Sequence, residues 1–450
     1  MSEQSPAAPR RQLTLFDTTS IIVGIIIGSS VYVTAPRIAA CVPDAFSFLL
    51  VWLLGGAFAL VGSLCYAELA TALPHDGGDY VYLSRAYGRP AGLMFAWCEL
   101  WLVRPGAIGS LAYVFAEYAD EVVPLGRHAP VIYAAGCTAA MTAINLLGVA
   151  AGKWTQNILT LAKVLGLAAV IVVGFCTTAP AVSPRAEAPI STDWGLAFIF
   201  ILYAYGGWND MAFVSAEVRH PERNILRALL AGTLAVTGIY LLINASFLHA
   251  LGLEGVRQGG ALAAEVVGRQ WNWGAQAVSL LVAVSALGAV NGMTFTAARI
   301  YYAMGARHRL FAPLGVWSAR FDGPARAILL QGGITLALIL AVGLTSRGAA
   351  QQGFETMASF TFPPFWFFLS LVGLAVIVLR LREPQLPRPY RTPAFPLLPI
   401  IFCAGAGYMV FTSVVYAARH FGPAALGSLA VVVAGLIAVV IDAFWRTPAA

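Results

Sequence analysis

The chain has 450 residues, of which 59% are hydrophobic and only 11% are charged, and its mean hydropathy is +0.77. Soluble domains carry roughly 25% charged residues, so lipid must solvate much of this apolar surface. The net charge of +6 comes from basic residues scattered between apolar segments, which excludes the clustered basic face of a nucleic-acid-binding protein.

About 20 apolar residues cross a bilayer core, and on that measure the sequence predicts an all-α integral membrane protein with twelve spans. The predicted spans are residues 15–40, 46–72, 91–119, 129–148, 154–176, 195–217, 227–251, 273–304, 326–345, 355–380, 396–418 and 422–444. Neither a soluble domain nor a low-complexity linker separates them, so we expect one membrane domain.

An even number of spans places both termini on one side of the membrane. If that side is the cytoplasm, 17 Arg and Lys residues fall on inner loops and 6 on outer loops, as the positive-inside rule requires. We therefore expect a cytoplasmic segment over 1–14, a core over 15–380, and two further helices with a short C-terminus over 381–450. The expected location is the inner (cytoplasmic) cell membrane.

Glycines interrupt two of the predicted spans at the same depth. The first span reads LTLFDTTSIIVGIIIGSSVYVTAPRIAA around Gly28, and the second reads WGLAFIFILYAYGGWNDMAFVSAEV around Gly206 and Gly207. An unpaired backbone group in hydrocarbon costs several kcal/mol, so a break needs protein or a polar cavity to receive the freed groups. Close helix packing would explain a single glycine pair. Two breaks 178 residues apart, each opening a run of five spans, favour a secondary transporter with a midplane site.

The first break suggests what such a site would hold. The amides at Ser29 and Ser30 begin the outer half-helix, and its positive end suits a carboxylate. The carbonyls freed around Ile26, Ile27 and Gly28 suit an ammonium group, and the break at Gly206 would add further carbonyls. A zwitterion with both groups on one carbon fits this arrangement.

Five strings resemble the amino acid–polyamine–organocation superfamily and, within it, the L-type amino-acid transporters and their bacterial relatives. GIIIGSSVYVTAP is similar to the family's GxIIGSGIFVTP, and YAELATALPHDGGDYVYL to its YxELxxxxPxxGGxYxYL. WCELWLVRPGAIGSLAYVFAEY and YAYGGWNDMAFVSAEVRHPERNILRA resemble its third and sixth spans, and RPYRTPAFPLLP is typical of bacterial members. The resemblance implies a LeuT-like fold, in which spans 1–5 and 6–10 are inverted repeats with discontinuous helices 1 and 6.

The resemblance also implies amino-acid transport by alternating access, and it assigns roles to residues of this sequence. Ser29 and Ser30 match the carboxylate site, and the carbonyls of Ile26 and of Tyr203 to Gly206 match the ammonium site. Tyr203 matches the aromatic residue that closes over bound substrate, and Asn209 matches a polar residue of the substrate cavity. Gly106 and Ala107 match the opposite wall of that cavity. Trp208 is expected to join Tyr203 in gating.

Two residues depart from the family pattern. Ser30 replaces the second Gly of GSG, and its hydroxymethyl group is expected to reshape the pocket or to favour small substrates. Asp210 stands where L-type members tend to carry an aromatic residue. We expect it to face water in the inner half-helix rather than to attract a cationic substrate.

Lys163 lies about ten residues into the fifth span, which is about 15 Å from its end and beyond the reach of a snorkelling side chain. A charge at that depth costs at least ~2.5–3.5 kcal/mol and needs a partner. In similar sodium-independent transporters a lysine here occupies the place of a coupling cation. We expect Lys163 to tie the Ser29–Ser30 segment to the scaffold. Exchange and proton coupling both remain open.

Other charged residues are interpreted as structural. Glu99 and Arg104 are five residues apart and so not on one face of an α-helix, and we favour pairing within the scaffold over substrate contact. Glu68 and Glu217 are expected at cytoplasmic ends, where two interpretations are equally good: an inner gate with basic residues, or solvated interface charges. The basic residues of that gate would be Arg85, Arg219 and Arg223.

The sequence predicts no metal site, cofactor or enzymatic function, because the six His and the acidic residues form none of the usual clusters. A channel would need charge rings or repeated filter loops. The six Cys are expected to be small core residues. The apolar lining expected from Val31, Tyr203, Trp208 and Phe362 favours small or medium neutral amino acids; a cationic amino acid or polyamine is the alternative. No accessory subunit is evident.

Overall fold

The structure is a computed structural model, which describes residues 9–177, 192–259, 261–345, 350–420 and 422–444. Within these ranges the chain is helical, and its strand-like pairing is limited to two isolated bridges. The α-helices are α1 Leu15–Ile26, α2 Ser30–Ala40, α3 Ala45–Ala72, α4 Asp79–Tyr87, α5 Arg89–Cys98, α6 Arg104–Val122, α7 Ala129–Leu146, α8 Val149–Cys176, α9 Trp194–Ala204, α10 Pro221–Gln258, α11 Leu262–Gly268, α12 Gly274–Arg307, α13 Ala325–Thr345, α14 Ala350–Arg382, α15 Leu397–His420 and α16 Gly422–Phe444. A π-helix covers Glu99–Val103, and 3₁₀-helices cover Trp208–Glu217 and Arg309–Leu314.

Eight of the described helices are long and apolar enough to cross a membrane, and the bent pair of α1 and α2 makes a ninth candidate. The eight are α3, α7, α8, α10, α12, α13, α14 and α15. The chain is therefore a multi-pass, all-helical membrane protein. The count of twelve spans stays a prediction. Arg185, Arg347 and Arg446, which enter the charge count above, lie outside the described residues.

The helices differ in how much of their surface lipid can reach. In the apolar window of α12, 72% of the residues are buried inside the protein, against 28% for α8 and 22% for α15. Leu161, Leu165 and Val172 of α8 are among the large exposed hydrophobic residues. Thus α12 lies in the interior, while α8 and α15 turn apolar faces outward. α1 packs against α8, α10 and α12, which places the first span beside this interior helix.

The start of α1 is fixed by polar contacts. The Thr14 hydroxyl accepts the amide hydrogen of Asp17, and the Asp17 carboxylate accepts the amide hydrogen of Thr14, which forms a capping box. The same carboxylate accepts from Asn157 at 2.7 Å and lies 3.3 Å from the Lys153 ammonium, both on α8. The first half of the broken span is therefore anchored to α8 at its end.

Among the candidate spans of the structure, the bounds differ most from the predicted ones at α10. The sequence predicts a span over 227–251, whereas α10 runs from Pro221 to Gln258. Pro221 occupies the first helical turn, where its missing amide costs nothing. Gly252, with φ of 68°, bends the far end away from helical geometry, so the helical residues beyond it continue in a new direction.

Candidate functional site

The first span breaks where the sequence predicts. α1 has 12 residues and α2 has 11, which as helices are about 18 and 16 Å long, so neither alone crosses a core of about 30 Å. The axis bends by 49° between them. The break covers Ile27 to Ser29, and the Gly28 amide turns back to the Ile26 carbonyl oxygen at 2.8 Å. The first-turn amides of α2 are thus released inside the protein.

The second break follows α9. Gly207 has φ of +112°, a conformation that glycine adopts without strain, and the chain then continues as a 3₁₀-helix from Trp208. A Cβ atom on Gly207 would lie 2.6 Å from Cγ2 of Ile25, so the second break packs directly on the end of α1. The Ser30 hydroxyl donates to the Ala204 carbonyl oxygen at 3.4 Å. The two interruptions therefore meet in space.

Lys163 reaches the first break from α8. Its ammonium donates three hydrogen bonds of 2.8 to 2.9 Å, to the carbonyl oxygens of Gly24, Ile27 and Ser285, and the residue is fully buried. These acceptors use the three N–H groups of the ammonium. Lys163 thus ties the end of α1 to α8 and α12, and the bonds run to carbonyls just before the Ser29–Ser30 segment.

A cavity opens where the two breaks meet. It holds about 850 Å³ of empty space when its mouth is included. Of the residues predicted to bind substrate, its wall contains Ile26, Gly28, Ser29, Ser30, Ala107, Tyr203, Gly206 and Gly207. Tyr203 stacks edge-to-face on Phe362, with ring centroids 5.4 Å apart, so these two rings form one apolar side.

Several predicted residues lie away from this wall. Ile27 turns its carbonyl oxygen to Lys163, and Gly106 is buried behind the wall. Trp208 and Asn209 line a smaller neighbouring pocket. The Trp208 ring packs edge-to-face on Tyr66, with centroids 4.9 Å apart. Val31, expected in the apolar lining, is buried but absent from the cavity wall. Binding and gating by these residues stay predictions.

The cavity wall also carries a charged pair, Arg104 and Asp210. The Arg104 guanidinium holds the Asp210 carboxylate with two hydrogen bonds, of 2.5 and 2.8 Å. Asp210 is 1% exposed. The expectation that Asp210 faces water is therefore wrong, because the guanidinium of the third span neutralises it inside the protein. A buried charge is retained only with such a partner.

Glu99 binds the same guanidinium from the other side, at 2.6 Å from Nε of Arg104. The pairing within the scaffold is confirmed, although residues five apart do not share a face of an α-helix. The reason is the π-helix at Glu99–Val103, in which the Arg104 amide bonds to the Glu99 carbonyl oxygen and so brings position i+5 above position i. The sequence pattern does not predict a π-turn of this kind.

Two further carboxylates pair differently from the predicted inner gate. Glu217 binds Arg299 of α12 at 2.6 Å, and Glu68 binds Arg380 of α14 at 2.6 Å. Both carboxylates are at most 1% exposed, so they are not solvated interface charges. Arg85 instead pairs with Glu383 on the surface. The partners proposed for the gate are thus wrong, since each buried carboxylate already has an arginine from a later helix.

Asp76 lies beside the Glu217–Arg299 pair, in the loop between α3 and α4. Burial raises the pKa of Asp76 to about 7, the Glu217 carboxylate adds to the rise, and Arg299 opposes it. Its Oδ1 is buried and has no hydrogen-bond partner among the described residues. This loop carboxyl therefore titrates near neutral pH in the folded protein.

Sequence reasoning missed two polar residues that hold the breaks. The Tyr240 hydroxyl of α10 lies 3.0 Å from the Ile26 carbonyl oxygen and 3.3 Å from that of Ala204, so it links both interruptions. The Ser285 hydroxyl of α12 donates to the carbonyl oxygens of Ile27 and Gly28. Each lies singly in an apolar helix, and only the general rule that freed carbonyls need donors could have pointed to them.

The described residues hold no group of three or more His, Cys, Asp or Glu side chains that could bind a metal ion. All six cysteines are free. Four of them are buried, while Cys176 is exposed and Cys403 is half-buried, so the core interpretation applies to Cys41, Cys65, Cys98 and Cys137.

A multi-pass helical protein with two broken helices around one cavity has the organisation of a membrane transport protein. The chain belongs to the amino acid permease family, whose model matches residues 13–440. The predicted relationship to the amino acid–polyamine–organocation superfamily is confirmed.

The chain is similar over most of its length to three proteins that are named as transporters or exchangers. It is 30% identical over 423 residues to the human b(0,+)-type amino acid transporter 1, covering 92% of this chain and 84% of that protein. It is 28% identical over 411 residues to the serine/threonine exchanger SteT of Bacillus subtilis, covering 90% and 92%. It is 26% identical over 456 residues to the mouse Asc-type amino acid transporter 1, covering 98% and 82%.

Proposed function

We propose that the chain is a secondary active transporter that moves small or medium neutral L-amino acids across the cytoplasmic membrane by alternating access, without sodium. The observation that carries the proposal is the meeting of the two breaks at one cavity, beside a lysine that fills the space under the first break. Its family and its relatives, all named as transporters or exchangers, support transport over catalysis.

The polar groups of the cavity suit an amino acid. Ser29 and Ser30 begin α2, whose free amides and positive end would hold the substrate carboxylate. The carbonyls of Ile26 and of the Tyr203 to Gly206 segment would hold the ammonium, which at Ile26 would replace the present donors, the Gly28 amide and the Tyr240 hydroxyl. Both sets reach one cavity, which a zwitterion spans and a simple anion or amine does not.

Lys163 supports sodium independence. Its ammonium already donates to three carbonyl oxygens between α1, α8 and α12, which are the kind of oxygen ligands that a bound cation would use. A fixed positive charge there would hold the first span in register without an imported ion. Exchange and proton coupling are both compatible with this arrangement.

The residues around the amino-acid groups favour an uncharged side chain. Tyr203 and Phe362 supply an apolar wall, and Arg104 neutralises Asp210, the acidic residue in the described part of the cavity wall. A cationic amino acid or polyamine would need a free carboxylate, so it is the weaker alternative. The serine/threonine exchanger SteT, which is named for two neutral amino acids, agrees with this choice.

The proposed architecture has twelve spans with both termini in the cytoplasm, and helices 1–5 and 6–10 as LeuT-like inverted repeats over 15–380. The equivalent positions of the two breaks, α1–α2 and α9 with its 3₁₀-helix, support the repeat. Under this scheme 1–14 is cytoplasmic, and 381–450 adds two peripheral helices. The excess of basic residues on one set of loops supports the orientation.

The test uses purified protein in liposomes loaded with alanine. Uptake of labelled alanine is measured against competition by each of the twenty amino acids and by agmatine and putrescine, with and without a pH gradient and in sodium-free buffer. We expect competition by small and medium neutral amino acids and no sodium requirement. Competition by the amines alone would replace this proposal with a polyamine carrier, and an absolute need for sodium would remove the role given to Lys163.

A further inference from the structure

We propose that the Arg104 guanidinium is a carboxylate-binding subsite in the cavity wall that the chain's own Asp210 occupies. By filling this subsite, Asp210 would make the transporter reject amino acids with acidic side chains. The inference rests on the proposed function, since it concerns the side-chain end of the same cavity.

The hydrogen-bond count of Arg104 supports the subsite. A guanidinium has five N–H donors in a planar fork. Glu99 takes the Nε hydrogen, while Nη1 and Nη2 both point to the Asp210 carboxylate. That two-bond geometry is the one by which arginine binds free carboxylates. Asp210 thus occupies the position in which the acidic side chain of a ligand would sit.

Of the charged cluster, the Arg104–Asp210 pair is the part that forms the cavity wall, although both residues are at most 2% exposed. Arg104 and Asp210 both line the cavity, whereas Glu99 and Asp79 do not. Asp79 accepts a hydrogen bond from the Tyr66 hydroxyl at 2.9 Å and lies within electrostatic range of Glu99, Arg104 and Asp210. The Phe213 ring packs under the guanidinium, with its centroid 5.0 Å from Cζ, and keeps the fork in place.

The consequence for selectivity is electrostatic. A glutamate side chain entering the cavity meets a guanidinium whose Nη1 and Nη2 already donate to an aspartate of the glutamate's own sign, in surroundings with little water to screen the repulsion. A glutamine side chain of the same shape carries no charge and suffers no such repulsion. Removing the Asp210 charge leaves donors free for an incoming carboxylate.

The experiment compares two isosteric ligands. Competition by glutamate and by glutamine against labelled-alanine uptake is measured in liposomes for the wild type, Asp210→Asn and Asp210→Ala. We expect the wild type to prefer glutamine by about tenfold or more. The variants should gain at least about tenfold in apparent affinity for glutamate relative to glutamine, the size expected for a charge-assisted bidentate contact. The double variant D210A/R104Q should lose the gain.

Two matched variants separate the subsite from general electrostatics. Glu99→Gln and Asp79→Asn each remove one buried carboxylate near Arg104 without uncovering its cavity-side donors, so neither should gain glutamate. The inference is overturned if either gains as much as D210N, or if both Asp210 variants keep the wild-type selectivity. If neither Asp210 variant folds, the wild type alone still tests the inference. Equal competition by glutamate and glutamine in the wild type would contradict the inference. Absence of any alanine uptake by the wild type would instead contradict the proposed function.

Discussion

The ammonium of Lys163 lies 2.8 Å from the carbonyl oxygen of Ile27, the residue that directly follows the last helical residue of α1. The bond joins the fifth predicted span to the unwound segment of the first, over 136 residues of sequence. Because the freed carbonyl of a broken helix needs a donor in lipid, this contact explains both how the break is tolerated and how the lysine is kept in the membrane.

Replacing Lys163 with Ala should reduce amino-acid uptake by about tenfold or more, because the carbonyls of Gly24, Ile27 and Ser285 lose a charged donor, each worth about 1.5–3 kcal/mol. Lys163→Arg should also fail, since Gly288 packs tightly against the lysine tip. The control is Lys153→Ala on the same helix, which removes a partly exposed contact with Asp17 at the start of α1 and leaves the break untouched. Uptake in liposomes is the measurement, and wild-type rates for K163A would contradict the role.

The two glycines of the second break should respond differently to alanine. At Gly207 the backbone has φ of +112° and a Cβ would lie 2.6 Å from Ile25, so Gly207→Ala should destabilise the fold by about 1–3 kcal/mol. At Gly206 an added Cβ atom would lie 3.5 Å from the nearest atom, so the unfolding midpoint of Gly206→Ala should equal that of the wild type. Thermal unfolding in detergent checks both variants. Equal midpoints would show that the breaks do not pack as described.

Tyr203 should contribute through its ring. Tyr203→Ala removes one side of the apolar wall formed with Phe362, and we expect the half-saturating concentration of alanine to rise by about tenfold. Tyr203→Phe keeps the ring and should stay within about twofold of the wild type. Concentration dependence of initial uptake distinguishes the two. An equal effect of both substitutions would mean that the hydroxyl group, not the ring, is what matters.

Stability should depend on pH through Asp76. Because the pKa of this carboxyl is about 7 in the folded protein, against an ordinary value of 3.8, the folded protein binds the proton more tightly than the unfolded chain does. The contribution of Asp76 to the free energy of unfolding is therefore full below about pH 4, and it is lost as the pH rises through about 7. Between about pH 5 and 8 the wild type should lose on the order of 1–3 kcal/mol relative to Asp76→Asn.

The measurement for Asp76 is the unfolding midpoint of wild type and D76N across this pH range. Glu217, Arg299 and His75 face or neighbour the same loop and are present in both proteins, so the comparison isolates the Asp76 carboxyl. Parallel pH profiles for the two proteins would rule out Asp76 as the responsible group.

Much of the site follows from local sequence. The breaks at Gly28 and at Gly206–Gly207 were predictable because a helix in lipid stops only where a residue such as glycine lets the backbone turn and a cavity receives the freed groups. The depth of Lys163 was readable from its distance along the span. Ser285 and Tyr240 were not, because a single hydroxyl in an apolar helix has many possible partners.

The pairing of the buried charges could not be predicted from the sequence. Arg104 contacts Glu99 because of a π-turn. Asp210, Glu217 and Glu68 each pair with an arginine that lies 82 to 312 residues away in the sequence. The sequence prediction of a water-facing Asp210 failed for this reason. No periodicity within one helix specifies which arginine of another helix lies opposite.

By itself the sequence determined that this chain is embedded in lipid and that its helices break twice, because hydropathy and backbone conformation act over short stretches. Its motifs, by resemblance, placed it among the amino-acid permeases. Only the tertiary structure decided which residues face the cavity and which charges cancel. Those depend on distances between helices remote in sequence, and in a medium of low dielectric constant a few ångströms determine whether a carboxylate is neutralised or left to bind a ligand.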